Sequence, residues 1–264
     1  MYDIILLLRK PVSFMRTLPR FIIVGGQRCG TSLLYDNIIM HPAVRPCLGE
    51  ETFYFSKNYS KGWPWYRAHF PLKSMILISG EVSSDYLFHP LAPKRIMARL
   101  PDVKLIILLR NPVDRAFSHY SHEVSKGRED KPFEDALALE EMRLAGEKDK
   151  VMSQEDYVSE DMDYFSYKAR GHYADQIIRW FGYFPRNQIL ILKTEDFYMY
   201  PSGVINEVYK FLDLKIYGLS DFEDSTYERD KYKDMLPSTR EMLSEYYKPH
   251  NEKLYNLIKR DMQW

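Results

Sequence analysis

The chain has 264 residues, 45% of them hydrophobic and 28% charged, and its 37 basic and 37 acidic side chains give a formal net charge of zero. This composition is typical of a globular protein and excludes a disordered or fibrous chain. Only two cysteines, Cys29 and Cys47, are present, which excludes a disulfide framework and predicts a reducing, cytoplasmic location. The length allows one domain spanning residues 1–264.

Residues 1–20 are predicted to form an extension ahead of the first strand. Their apolar run, from Ile4 to Leu8, is five residues long and is followed by Arg9 and Lys10. A membrane-spanning helix needs about 20 apolar residues and a signal-peptide core roughly 7 to 15, so the run fits neither. We expect a soluble protein in which this run contacts either the domain or a membrane surface.

A glycine-rich loop follows the first predicted strand. The apolar, β-branched run that begins at Phe21 leads into this loop, and a helix is predicted from Thr31 to Met40. Gly25 and Gly30 have the spacing of a P-loop, whose backbone N–H groups and helix N-terminus bind phosphate oxygens. The pattern indicates a phosphate-binding loop, and the alternative is a plain glycine turn between a strand and a helix.

The polar residues of this loop differ from those of a nucleoside triphosphatase. Thr31 and Ser32 stand where the P-loop pattern has Lys-[Ser/Thr], and the cation of the loop, Arg28, lies inside it. Without that lysine, the loop does not have the usual group for a γ-phosphate. We therefore expect a phosphorylated nucleotide that lacks a γ-phosphate.

A second buried strand is predicted from Val103 to Leu109, followed by a helix over Val113 to Val124. A triphosphatase usually places a magnesium-binding aspartate at such a strand end, whereas this strand is followed by Arg110. The sequence therefore indicates an anion at this point, and Ser118, two turns into the helix, is placed to contact the same anion. The alternative is a surface arginine paired with Asp114.

The segment from Glu123 to Asp163 carries 14 acidic and 6 basic residues, a local charge of −8, so the rest of the chain carries +8. The nucleotide-binding part is therefore predicted to be basic. The acidic segment is predicted to be a solvated, partly helical insertion. A mobile lid over the acceptor site is the second interpretation.

Later segments continue the alternation of strands and helices. A helix is predicted from about Tyr173 to Phe184, a strand from Gln188 to Lys193, and further helices over Asp196–Leu214 and Ser238–Lys259. Strands that alternate with helices predict one α/β domain with a central parallel β-sheet flanked by helices, and ligands bind such sheets at the carboxyl ends of the strands.

Three segments together resemble the sulfotransferases that use 3′-phosphoadenosine 5′-phosphosulfate (PAPS), particularly the carbohydrate group with the heparan sulfate N- and O-sulfotransferases and related bacterial enzymes. Gln27–Leu34 resembles the family's 5′-phosphosulfate loop, Leu109–Ser118 its 3′-phosphate motif, and Glu50–Phe55 the segment with the catalytic carboxylate. The resemblance covers nearly the whole chain. Weaker matches are Asn58–Tyr66, Gly80–Tyr86, Arg170–Tyr173 and Tyr246–Asn251.

The resemblance implies how the donor is held. Backbone amides of the loop, with two of its hydroxyls, would bind the 5′-phosphate, and Arg28 would stabilise negative charge on the bridging oxygen. Arg110 and Ser118 would bind the 3′-phosphate. No metal is implied, and adenosine 3′,5′-bisphosphate (PAP) would be the product. The implied loop residues are Gln27, Arg28, Cys29, Gly30, Thr31 and Ser32.

Cys29 has a second interpretation, because a thiolate at a helix N-terminus can be reactive, but a small packing residue is the preferred one. Near the C-terminus, Arg229 or Lys231 would replace a Lys-Gly phosphate clamp of the heparan enzymes, or would belong to an exposed loop. Val82 stands where many heparan enzymes have a lysine that helps to bind substrate, which argues against a polyanionic glycan as acceptor.

The acceptor must lose a proton as it attacks, and a positioned carboxylate is the expected base. By the resemblance Glu51 takes this role and Glu50 is its neighbour, and the reverse assignment stays open. The sequence leaves open whether His122 faces the acceptor. His119 is expected in a polar or core role. Neither histidine has the further donors that a zinc site needs.

The sequence thus predicts a sulfotransferase that acts on a hydroxyl or amine of a carbohydrate or small metabolite. One rival is a P-loop kinase of nucleosides or small molecules, which would need Mg²⁺ and a loop lysine. Another is a non-catalytic module that binds a nucleotide or glycan. Nucleic acid is not expected as a partner, because the sequence shows no basic-aromatic stripe or recognition motif.

Overall fold

A parallel β-sheet forms the centre of the structure, a computed structural model that describes residues 2–49, 51–218 and 235–264. Within these ranges the strands are β1 (Phe21–Gly25), β2 (Val44–Arg45), β3 (Ile78–Val82), β4 (Lys104–Leu109) and β5 (Ile189–Lys193). Their order across the sheet is β2-β3-β1-β4-β5, and every neighbouring pair is parallel. The predicted α/β fold is therefore confirmed. Glu50, Arg229 and Lys231 lie outside the described residues.

Helices cover both faces of this sheet, which explains why its central strands are almost entirely apolar. All five residues of β1 are buried, as are five of the six in β4. The helices of the described residues are α1 (Tyr2–Arg9), α2 (Thr31–Ile39), α3 (Trp63–Ala68), α4 (Ala92–Arg99), α5 (Pro112–Ser125), α6 (Phe133–Leu144), α7 (Glu147–Ser153), α8 (Glu160–Tyr164), α9 (Tyr173–Phe181), α10 (Thr194–Met199), α11 (Pro201–Phe211) and α12 (Pro237–Ile258).

The predicted helix over Asp196–Leu214 is wrong, because the structure has two helices there. Tyr200, with φ −141° and ψ 62°, separates α10 from α11, and Pro201 is the first residue of α11. Proline is favoured at the first position of a helix, and it disfavours helical geometry in the residue before it. The sequence analysis also did not identify β2 or β3.

The acidic segment over residues 123–163 is partly helical, as predicted, since it contains α6, α7 and α8. The prediction that it is solvated is wrong for four of its carboxylates, Glu123, Glu129, Glu140 and Glu147, which are buried. Each has a partner: Glu129, for example, accepts hydrogen bonds from Arg143 at 2.5 Å and from Tyr167 at 2.9 Å. These four carboxylates therefore bind other groups of the protein instead of facing solvent. The role of the segment as a lid stays a prediction.

The apolar run near the N-terminus lies in α1, which packs on α3. Leu6 is buried, and the Tyr2 hydroxyl lies 2.9 Å from Nε2 of His69. The expected contact with the domain is thus present on one side of the helix. None of the helices in the described residues has the length and apolar character that a bilayer-spanning helix requires.

Candidate active site

A cleft of about 340 Å³ opens at the edge of the sheet where β1, β3 and β4 end. Its lining residues come from the glycine-rich loop after β1, the start of α2, the segment before α3, the turns after β3 and β4, α5 and α10. They are Gln27, Arg28, Gly30, Thr31, Ser32, Glu51, Ser84, Arg110, Ser118, His122 and Tyr198. Every site residue named from the sequence that the structure describes lines this cleft, except Cys29.

The glycines of the loop allow the chain to turn sharply from β1 into α2. Gly30 precedes α2 with φ +86°, a left-handed conformation that side chains with a Cβ disfavour. A Cβ at Gly30 would also lie 2.6 Å from the hydroxyl of Tyr198. The first N–H groups of a helix have no acceptor within the helix, so Thr31 and Ser32 present backbone donors to the cleft as well as hydroxyls.

Arg28 joins the glycine-rich loop to the residues that follow β4. Its Nε donates to Oγ of Ser118 at 3.2 Å, and its carbonyl oxygen accepts from Nη1 of Arg110 at 3.3 Å. Two guanidinium groups and the N-terminus of α2 therefore lie in one cleft, which makes this part of it attractive to anions. Asp114, the alternative partner considered for Arg110, instead pairs with Arg240 at 2.8 Å.

Cys29 lies beneath the loop and is fully buried. Its Sγ is 3.9 Å from the hydroxyl of Tyr173, which donates to the carbonyl of Arg110 at 2.9 Å. Its own carbonyl accepts from Thr194 Oγ1 at 2.8 Å. Burial raises the pKa of the thiol, against the opposing charges of Arg115 and Arg110. This environment fits the packing role rather than a reactive thiolate.

Glu51 lines the same cleft, beside the end of β3. Its backbone forms a parallel bridge with Val82, and one carboxylate oxygen, Oε1, accepts from both the backbone N–H of Ser84 at 2.7 Å and its Oγ at 2.6 Å. The carboxylate therefore has a fixed position at the cleft wall. Such a group can accept a proton from a ligand that enters the cleft.

The two histidines of α5 have different surroundings. His122 lies one helical turn beyond Ser118 and lines the cleft. Burial and the positive charge of Arg28 lower its pKa, so the imidazole is neutral near pH 7. His119 is fully buried, with its ring centroid 5.0 Å from that of Tyr167 and Nε2 3.6 Å from Glu123. The expected core role of His119 is confirmed.

A buried carboxylate supports the segment that carries Glu51. Glu81, on β3, accepts hydrogen bonds from the hydroxyls of Thr52, of Tyr66 at 2.7 Å and of Ser83 at 3.4 Å. Burial raises its pKa to about 7, although these hydrogen bonds act in the opposite direction. Because Thr52 follows Glu51 in the chain, Glu81 helps to fix the position of the cleft wall.

Ser84 and Tyr198 line the cleft but were not singled out from the sequence. Ser84 follows β3, and polar residues after a strand of a parallel sheet are candidates once that strand is identified. Tyr198 reaches the cleft through the packing of α10, for which the sequence offers no local signal. Within the described ranges, no group of three or more His, Cys, Asp or Glu side chains is arranged to hold a metal ion.

The parallel sheet and the glycine loop that leads into α2 define an α/β protein with a P-loop-like turn. Residues 18–254 match the sulfotransferase domain family. The chain therefore belongs to the sulfotransferase family of enzymes.

Three similar proteins illustrate this membership. The human bifunctional heparan sulfate N-deacetylase/N-sulfotransferase 3 is 31% identical over 274 residues, which cover 91% of this chain and 30% of that protein. A sulfotransferase structure from Alicyclobacillus acidocaldarius is 30% identical with a TM-score of 0.76, covering 93% of this chain and 98% of the other. Mouse SULT7A1, solved in complex with PAP, shares the fold alone, with 13% identity, a TM-score of 0.53 and coverage of 94% and 88%. The chain thus spans about 30% of the length of its heparan sulfate relative.

Proposed function

We propose that this sulfotransferase moves a sulfuryl group from PAPS to a hydroxyl or amine of a carbohydrate or small metabolite and releases PAP. The observation that carries the proposal is a single cleft that contains two arginines, a helix N-terminus and a fixed carboxylate. The heparan sulfate relative supports a carbohydrate acceptor.

Two anion-binding points of the cleft would hold the donor. The N-terminus of α2, with the hydroxyls of Thr31 and Ser32, would bind the 5′-phosphate. Arg110 and Ser118 would bind the 3′-phosphate. The guanidinium of Arg28, which donates to Ser118, would stabilise the charge that grows on the bridging oxygen as the S–O bond breaks. An arginine keeps its charge and does not protonate the leaving group.

Glu51 would act as the general base. As the acceptor oxygen or nitrogen forms its bond to sulfur, its proton would pass to the carboxylate, whose orientation Ser84 fixes. His122 is neutral and lines the same cleft, so it would hydrogen-bond to the acceptor. Three further residues of the proposal lie outside the described residues. They are Glu50, the alternative base, and Arg229 and Lys231, the candidates for a C-terminal phosphate clamp.

The acidic segment is proposed as the acceptor-side lid because it begins at Glu123, directly after His122 in α5. Limited proteolysis with and without PAP tests this idea. Protection of residues 123–163 by the ligand supports a lid, and an unchanged cleavage pattern contradicts it.

Thermal unfolding in the presence of PAP, with AMP and Mg·ATP as controls, tests the donor. At about 100 times its dissociation constant, a ligand stabilises the folded state by about 2.7 kcal/mol, enough to raise the melting temperature by several degrees. A shift with PAP that AMP does not reproduce supports the proposal. A shift with Mg·ATP alone would contradict it and favour the kinase.

Replacement of the proposed base tests catalysis separately from binding. Glu51→Gln keeps an acceptor for Ser84 and removes the proton-accepting charge, so turnover should fall by about 10² to 10⁴-fold while PAP binding is unchanged. Glu241→Gln, at an exposed position of α12, is the matched control. A parent protein that binds PAP but transfers no sulfuryl group to any acceptor tested, with or without Glu51, would instead be a binding module.

A further inference from the structure

Helix α1 has apolar residues on both of its sides. Leu6 faces the domain and is buried. Ile4, Leu7 and Leu8 have the i, i+3, i+4 spacing of one helical face, and their exposed fractions are 62%, 70% and 72%. Packing against the domain therefore accounts for only one side of this helix, and an apolar stripe is left in solvent.

Two segments near α1 also carry exposed apolar side chains. Phe14 and Met15 are exposed shortly after α1, and Met75 and Ile76 are exposed in the loop that leads to β3. The segments are joined by backbone contacts: the N–H of Lys73 donates to the carbonyl of Met15 at 3.0 Å, next to an antiparallel bridge between Arg16 and Leu72. Large apolar side chains grouped in this way mark an interaction surface, whereas single exposed ones do not.

The charge of this surface distinguishes between partners. Residues 2–20 and 67–77 contain six basic side chains and one acidic side chain, Asp3, although the whole chain is neutral. Lys10, Arg20 and Lys73 are exposed among them. A second copy packed on this face about a twofold axis would bring like charges together, which disfavours a homodimer. Apolar side chains bordered by lysine and arginine are instead typical of elements that lie on anionic membranes.

We propose that this face, formed by residues 2–20 and 67–77, docks on the surface of a bilayer that contains anionic phospholipid. The stripe of α1 and the Met75–Ile76 loop enter the boundary between headgroups and acyl chains, while Lys10 and Lys73 contact the headgroups. With eight residues, α1 is about 12 Å long, so it lies along the surface rather than across the bilayer. The proposal does not depend on the proposed reaction.

Sedimentation of the protein with vesicles tests this docking. Vesicles of phosphatidylcholine with phosphatidylserine should bind the protein, and the binding should weaken at high salt; vesicles of phosphatidylcholine alone should bind it much less. Each lysine removed should weaken binding about fivefold, so Lys10→Gln with Lys73→Gln should weaken it about 25-fold. Leu7→Ser with Leu8→Ser should weaken it by more than about tenfold per leucine.

Matched controls lie outside the face. Met142→Ser, on α6, replaces a side chain whose exposed fraction of 69% is close to that of Leu7, and Lys148→Gln replaces an exposed lysine of α7. Both should bind vesicles as the parent does. The lysine variants carry the test if the leucine variants do not fold, because Lys10 and Lys73 are exposed.

Three results would overturn the proposal. One is the absence of sedimentation with phosphatidylserine vesicles. Another is an equal loss of binding in the control variants. The third is a dimer, detected by light scattering, that Leu7→Ser with Leu8→Ser dissociates while the parent binds no vesicles, since that result would assign the face to a second copy of the chain.

Discussion

Replacing Glu81 by glutamine should change how the stability of this protein depends on pH. The carboxyl is fully buried on β3, and burial raises its pKa to about 7 from an ordinary value of 4.5. Its hydrogen-bond partners, Thr52, Tyr66 and Ser83, are all neutral hydroxyls. No cation is among these partners, so the charged form is stabilised only in part.

The direction of this pH dependence follows from whether the folded or the unfolded state binds the proton of Glu81. Between about pH 4.5 and 7, folded Glu81 keeps a proton that the unfolded chain has lost, so the free energy of unfolding decreases as pH rises. The stabilisation is fully present below the unfolded pKa and is lost as pH rises through the folded pKa. The difference between the two pKa values corresponds to about 3 kcal/mol.

Urea unfolding of the parent and of Glu81→Gln, at several pH values from about 5 to about 8, measures this difference. Glutamine does not ionise, so the free energy of unfolding of the variant should rise by about 2.5 kcal/mol relative to that of the parent across that range. Asp85, whose pKa burial raises to about 6, contributes a slope of the same sign to both proteins and largely cancels. Glu241→Gln should give a curve parallel to that of the parent. Parallel curves for Glu81→Gln would refute the reasoning.

Three further predictions concern the loop, the 3′-phosphate and the thiols. Gly30→Ala should weaken PAP binding in calorimetry, because the left-handed backbone costs an alanine about 1 kcal/mol and the new Cβ would lie 2.6 Å from the Tyr198 hydroxyl. Adding Tyr198→Phe should restore part of the lost affinity. Binding of PAP by Gly30→Ala as tight as that of the parent would contradict this prediction. Ser118→Ala should weaken PAP binding about tenfold without affecting AMP, and an equal loss for both would contradict its contact with the 3′-phosphate. Burial raises the pKa of Cys29 and raises that of Cys47 to about 12. Ellman's reagent should therefore react with both thiols only after unfolding. Rapid reaction of the folded protein would contradict this prediction.

The central strands could be predicted because their signal is local. β1, β4 and β5 are apolar runs, and the turn or helix signals after them are strong. β3 contains Ser79, Gly80 and Glu81, which are poor strand predictors by themselves. Their polar groups are satisfied by residues distant in the chain, such as Tyr66, and Gly80 gives room to the ring of Phe21. Such compensation exists only in the folded protein.

Only the part of the candidate site that has a local signal in the sequence could be predicted. The glycine spacing identified the loop, and the parallel arrangement placed Arg110 at the same edge of the sheet. The contact of Ser84 with Glu51 depends on β3, and that of Tyr198 with the loop depends on the packing of α10. The break between α10 and α11, by contrast, had a local signal in Pro201 that the predicted helix ignored.

The bonds from Arg28 to Ser118 and from Arg110 back to Arg28 have a consequence for selectivity. They tie the loop that precedes α2 to α5 and to the turn before it, so the fold sets the separation between the two proposed phosphate-binding points. The cleft would then select a ligand by the spacing of its phosphate groups. In the proposed donor site, a nucleotide with one phosphate on each side of its ribose would reach both points, whereas one with the same number of phosphates in a single chain would present them all to one point. Selection would rest on the distance between charges rather than on how many the ligand carries.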